Sequence, residues 1–119
     1  MRMDAHKAPR PPLDSEQVLL AVELFRMMAD PTRVRLLWEL IGTERAVHDL
    51  AASVGKPAPA VSQHLAKLRM SRLVETRRAG TTIFYRVAND HIEQLITDAI
   101  HNAEHASSEM PAHHRSTGA

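Results

Sequence analysis

Apolar residues recur at helical spacing through most of the chain, and the pattern becomes that of a two-strand hairpin only near residues 74–87. Val18, Val22, Phe25 and Met28 predict a first helix from near Ser15 to Met28. Asp30 then suits an N-cap and Pro31 a first helical position. A second helix is expected from there to about Leu40, burying Val34, Leu37, Trp38 and Ile41. Gly42-Thr43 breaks it, and Val47–Val54 makes a short third helix closed by Gly55. Lys56-Pro57-Ala58-Pro59 turns into a fourth helix from Ala58 to Met70, with Val61, Leu65 and Leu68 facing inward. Two strands follow, about Val74–Arg78 and Thr82–Val87, joined by Ala79-Gly80-Thr81, where Gly80 can take the positive φ such a turn needs. Asn89 or Asp90 caps a last long helix through about Ala106. Residues 1–14, with Pro9, Pro11 and Pro12, are expected to be a disordered arm, and residues 107–119 a flexible tail containing histidine.

This order, α-α-α-α-β-β-α, predicts a mainly α domain with one small β-hairpin over residues 15–106, arranged as a winged helix-turn-helix. At 119 residues the chain has room for one domain and a modest core, and small helical domains often gain stability by pairing with a copy of themselves. The absence of cysteine excludes disulfides, thiolate metal sites and cysteine nucleophiles. No apolar run reaches membrane-spanning length and the N-terminus lacks a signal-peptide core, so a soluble, cytoplasmic protein is expected, with no membrane partner. No nucleophile–base pair, phosphate loop or paired catalytic carboxylates appear. The reading is therefore not an enzyme.

Net charge is only +1, but it is unevenly placed. Residues 56–86 hold seven basic side chains against Glu75 alone, whereas residues 1–55 net −1 and residues 87–119 net −4. Positive charge confined to the fourth helix and hairpin points to double-stranded DNA, whose phosphates it would meet. A helix fits the major groove and reads it from its first turns. Ser62, Gln63 and His64 occupy those turns, with Lys56 and Pro59 at the entry. Gln can bond adenine in a bidentate way, while Ser and His are adaptable readers. Lys67, Arg69 and Arg72 can follow the phosphates. The hairpin tip carries Arg77, Arg78 and Thr81, a composition for phosphate or minor-groove contact. Taken singly, Ser62 is equally well a helix polar residue and His64 a half-buried one.

Four segments together carry a family resemblance: Phe25 to Leu37, Val47-His48-Asp49-Leu50-Ala51, Ala60-Val61-Ser62-Gln63-His64-Leu65-Ala66-Lys67-Leu68, and Gly80 to Val87. Over about residues 16–106 the chain resembles the ArsR/SmtB family of bacterial metal-responsive transcriptional regulators. The resemblance implies a homodimer packed through its first and last helices, bound to a palindromic operator, usually as a repressor released by metal. Where many members carry a Cys-x-Cys pair in the third helix, this chain has Ala46 and His48, so the soft-metal site is not expected.

Histidines crowd the C-terminal third: His91, His101, His105, His113 and His114. His91, Leu95, Asp98, Asn102 and His105 share one stripe of the last helix. His91 and His105 lie roughly 21 Å apart at 1.5 Å per residue, too far to share an ion in one chain. An antiparallel partner helix would bring each beside the other's counterpart. Family zinc sensors use an Asp-x-His pair and a later His with Glu or His three residues on; here two of those four positions are the amides Asn89 and Asn102, poor ligands for zinc. The set His91, Glu104, His105, His113 and His114, with His6 as an outside candidate, resembles instead the nickel/cobalt-sensing members. Nitrogen and oxygen ligands suit Ni(II) or Co(II) at least as well as Zn(II). The alternative is a DNA-binding regulator with little or no direct metal sensing, governed by a regulatory partner protein and acting as repressor or activator.

Overall fold

A computed structural model describes residues 9–108. Its elements are α1 (Ser15–Met28), α2 (Pro31–Leu40), β1 (Arg45–Ala46), α3 (Val47–Val54), α4 (Ala58–Met70), β2 (Val74–Ala79), β3 (Thr82–Val87) and α5 (Asp90–Ser108). The helix starts follow local capping chemistry. The Asp14 side chain accepts from the Gln17 backbone N–H while Gln17 reaches back to the Asp14 N–H, a reciprocal capping box. Asp30 caps α2 through the Arg33 N–H at 3.0 Å, with Pro31 at the first helical position. Gly55 ends α3 in the left-handed region at φ +67°, and Asn89 caps α5 by accepting from the Ile92 N–H at 3.0 Å.

The three-stranded sheet, in the order β1-β3-β2, contains a strand that periodicity did not reveal. Arg45 and Ala46 pair antiparallel with Tyr85 and Phe84. A two-residue strand carries too few positions to show alternation, so it was legible only once β3 lay beside it. The hairpin is also tighter than expected. Ala79 pairs with Thr82, which leaves Gly80-Thr81 as a two-residue turn with Gly80 at φ +64°.

Leu36, Leu37, Leu40, Leu50, Val61, Leu65, Leu68, Leu73, Val74 and Ile96 form the centre of the core, joined by Ala51, Val87 and Ile92. Each fully buried leucine contributes about 1.5–3 kcal/mol relative to exposure. The inward set of α4, Val61, Leu65 and Leu68, is the one expected, and it seats that helix against α2 and α3. One expectation is corrected. In α2 the buried positions are Leu36, Leu37 and Leu40; Trp38 remains 42% exposed, and Val34 and Ile41 are half-buried. α1 has no buried residue at all. Leu24, Met27 and Met28 lean on the core, but Val18, Leu19, Leu20, Val22 and Phe25 face outward. Among the described residues nothing covers them fully.

Candidate nucleic-acid interface and the α5 histidine face

α4 turns an uncommitted surface outward because its apolar residues fall on one arc. At roughly 100° per residue, the buried Val61, Leu65 and Leu68 lie opposite Pro59, Gln63 and the fully outward Met70. Ser62 and Arg69 border that arc on one side, Lys67 and His64 on the other. Ser62, Gln63, Lys67, Arg69, Pro59 and Lys56 are exposed and Arg72 just beyond the helix is too, held at φ +62°. No side chain caps the start of α4, so its first N–H groups stay open to an anion. His64 is the exception among the predicted readers. It is half-buried, its Nδ1 lying 3.3 Å from Arg33 Nη1 and 3.9 Å from Asp30 Oδ2. The Arg33 backbone N–H, and then the Arg33 charge, hold the Asp30 carboxyl below its ordinary range.

The hairpin cations divide into two kinds. Arg78 and Thr81 are exposed at the tip, Arg78 without a partner among the described residues. Arg77 is engaged: Nη2 lies 2.8 Å and Nε 2.9 Å from Glu44 Oε1, and the guanidinium sits 5.0 Å over the Phe84 ring. Arg86 bonds Glu75 at 3.0 Å and approaches Glu44 at 3.8 Å. Glu44 was not singled out from sequence. It lies thirty-three residues before Arg77, and only the β1–β3 pairing brings the two together. Arg77 holds the Glu44 carboxyl below the ordinary carboxylate range. Its depressed value means the pair is present above that range and is lost only as pH falls through the lowered value, so it is closed at neutral pH.

α5 buries Ile92 and Ile96 and leaves His91, His101, Glu104 and His105 exposed. Asp98, from the predicted stripe, accepts from the Gln94 amide at 2.8 Å. Among the described residues no three His, Asp or Glu side chains gather closely enough to hold an ion. His113, His114 and His6 lie outside the described residues.

The model of the bacterial regulatory protein arsR family matches residues 30–76, from the α2 cap through α4 into β2. The HTH-type transcriptional regulator KmtR of Mycobacterium tuberculosis is 63% identical over 107 residues, spanning 90% of this chain and 82% of that protein. The chain belongs to the ArsR family. This ArsR-family protein is a DNA-binding transcriptional regulator and not an enzyme. Its winged-helix fold is shared with solved relatives. The AntR antimony-specific transcriptional repressor superposes with TM-score 0.76 at 29% identity, covering 92% of this chain and 97% of that one. A homodimeric winged helix-turn-helix DNA-binding domain from Mycobacterium bovis gives TM-score 0.72 at 26% identity, over 82% and 91% of the two chains. No helix among the described residues is long and apolar enough to cross a membrane.

For this ArsR-family regulator, the Glu44–Arg77 pair leads to a measurable expectation. Glu44→Ala frees Arg77 for a phosphate. DNA affinity is then expected to rise several-fold at low salt, and the slope of log affinity against log salt to steepen by about one. Fluorescence anisotropy across a salt series checks both; an unchanged slope would place Arg77 away from the duplex.

Proposed function

We propose that the protein is a dimeric repressor whose operator affinity responds to Ni(II) or Co(II), read through His91, Glu104 and His105 of α5 together with His113 and His114. The observation that carries this reading is the separation of exposed donors along α5. His91 opens the helix and Glu104-His105 lie near its end, with no site among the described residues of one chain. An antiparallel α5 pair, with α1 beside it, turns that defect into two symmetric sites and covers the apolar residues α1 leaves outside. The donor chemistry fits. Imidazole nitrogens and a carboxylate oxygen suit Ni(II), Co(II) and, less selectively, Zn(II). AntR is antimony-specific, but a chain without cysteine has no thiolate for so soft an element.

On the DNA side, Lys56, Pro59, Ser62, Gln63, His64, Lys67, Arg69, Arg72, Arg77, Arg78 and Thr81 form the proposed contact surface. Ser62 and Gln63 read bases, and the cations position the subunit on phosphates, except Arg77, which faces the duplex while Glu44 holds it. Each α4 of the dimer would enter successive turns of the major groove. A ligand shifts operator binding only by its difference in affinity between two arrangements of the dimer. A coupling of about 1–3 kcal/mol, equivalent to about 5–150-fold, makes a working switch.

Isothermal titration with Ni(II), Co(II) and Zn(II), paired with operator gel shifts with and without each ion, tests the reading. Wild type is expected to bind Ni(II) or Co(II) and to lose operator affinity on binding. His91→Ala/His105→Ala is expected to keep the metal-free operator affinity and lose the response. Equal metal binding by the two proteins would discard this ligand set.

A further inference from the structure

His64 occupies an unusual place on α4, because one of its ring nitrogens is already committed. Nδ1 lies 3.3 Å from Arg33 Nη1. A guanidinium has donors and no acceptor, so Nδ1 of the neutral ring must accept and the ring proton must sit on Nε2. The Asp30 carboxylate, 3.9 Å from Nδ1, is beyond hydrogen-bond range and does not compete for that position. Nε2 has no partner among the described residues. No buried side-chain nitrogen or oxygen there lacks one either, so Nε2 reaches solvent. The ring is only 26% exposed, and its accessible polar group is this N–H.

Arg33 is itself pinned. Its Nε donates to the Met27 carbonyl at 2.6 Å, in the last turn of α1, and its backbone N–H donates to the Asp30 cap at 3.0 Å. Arg33 thus joins the end of α1, the start of α2 and the flank of the reading helix.

We infer that Arg33 is a positioning residue for DNA recognition, fixing His64 as the Nε2–H tautomer so that α4 offers the operator a hydrogen-bond donor. This rests on the reading that α4 enters the groove. A fixed donor selects acceptors: N7 or O6 of guanine, N7 of adenine, O4 of thymine, or a phosphate oxygen. A ring free to change tautomer would accept from cytosine or adenine amino groups as readily. The bond to Met27 adds a mechanical consequence. A displacement of the end of α1 reaches the reading helix through one side chain, which ties the proposed dimer helix to the recognition surface.

Long-range ¹H–¹⁵N correlation spectra of the wild-type imidazoles, recorded where His64 is neutral, read the tautomer without any substitution. The Nε2–H form is expected; the Nδ1–H form overturns the inference. Arg33→Ala is expected to give mixed tautomers and about a tenfold loss of operator affinity, the scale of one base contact. Its affinity for unrelated DNA should hold, because Arg33 is half-buried with Nε and Nη1 engaged within the chain. In a His64→Ala background the same substitution should cost nothing further; an equal cost in both backgrounds would make Arg33 merely structural and overturn the proposal. Should Arg33→Ala fail to fold, His64→Gln and His64→Asn replace it. Gln carries an amide N–H near the Nε2 position and is expected to retain affinity, whereas the shorter Asn loses about tenfold. Gln63→Ala separates the role of His64 from that of α4 as a whole. If it weakens binding while His64→Asn does not, only the role of His64 fails; if neither matters, the assignment of α4 as reading helix fails with it.

Discussion

Phe25→Glu is expected to convert the protein into a monomer and to lower affinity for a palindromic operator by about 10²–10⁴-fold, the advantage that linking two binding modules ordinarily supplies. The physical basis is the outward face of α1. Phe25 is 58% exposed, Leu19 and Leu20 more so, and no residue of the helix is buried within the chain. Among the described residues Val18, Val22 and Phe25 share one exposed side of α1, with Leu19 at its edge, an apolar surface of the kind that marks an interface. A glutamate there would be desolvated without a partner on dimerisation, which costs far more than the lost ring contact. Because α1 contributes so little to the core, far-UV circular dichroism should show helix content retained. Sedimentation velocity gives the oligomeric state and gel shifts on full and half operators give the affinity. A variant that remains dimeric and binds the full operator normally would remove α1 from the interface.

Ser62→Ala/Gln63→Ala is expected to cost roughly 10–100-fold in operator affinity, since a good bidentate base contact contributes about 1–3 kcal/mol of discrimination. Neither side chain makes a hydrogen bond within the described structure, and both are exposed, so fold stability should hardly change. The loss should be confined to the operator. Lys67→Ala/Arg78→Ala should behave oppositely, weakening operator and unrelated DNA alike and lowering the salt slope by about two, one for each lost phosphate contact. Anisotropy titrations on both DNAs over a salt series distinguish the two patterns. Equal loss on both DNAs from the Ser62/Gln63 variant would move base reading elsewhere.

Much of this architecture was open to inspection in the chain alone. The α4 limits, Ala58–Met70, agree with the expectation because Val61, Leu65 and Leu68 recur at helical spacing and the prolines mark its entry. α3 and its Gly55 stop, the Asp30-Pro31 start of α2 and the strands flanking Gly80 were legible for the same reason: each depends on chemistry within a few residues. The relationship to the ArsR family was visible in four segments that span those elements.

What the sequence determined by itself is local. Helix periodicity, caps and turn residues act between neighbours, and so does the gathering of positive charge over residues 56–86. Tertiary structure decided everything that needed two distant segments to meet. β1 exists because β3 offers Arg45 and Ala46 a partner. Arg77 is paired because Glu44 arrives beside it across that same sheet, and His64 has a chosen ring nitrogen because Arg33, thirty-one residues earlier, reaches it from α2. Trp38 and the α1 residues share an apolar character with the core, and periodicity alone cannot tell a face that packs within the chain from one left for another surface. Burial is a property of the assembled shape, so only the fold could assign those residues to the outside.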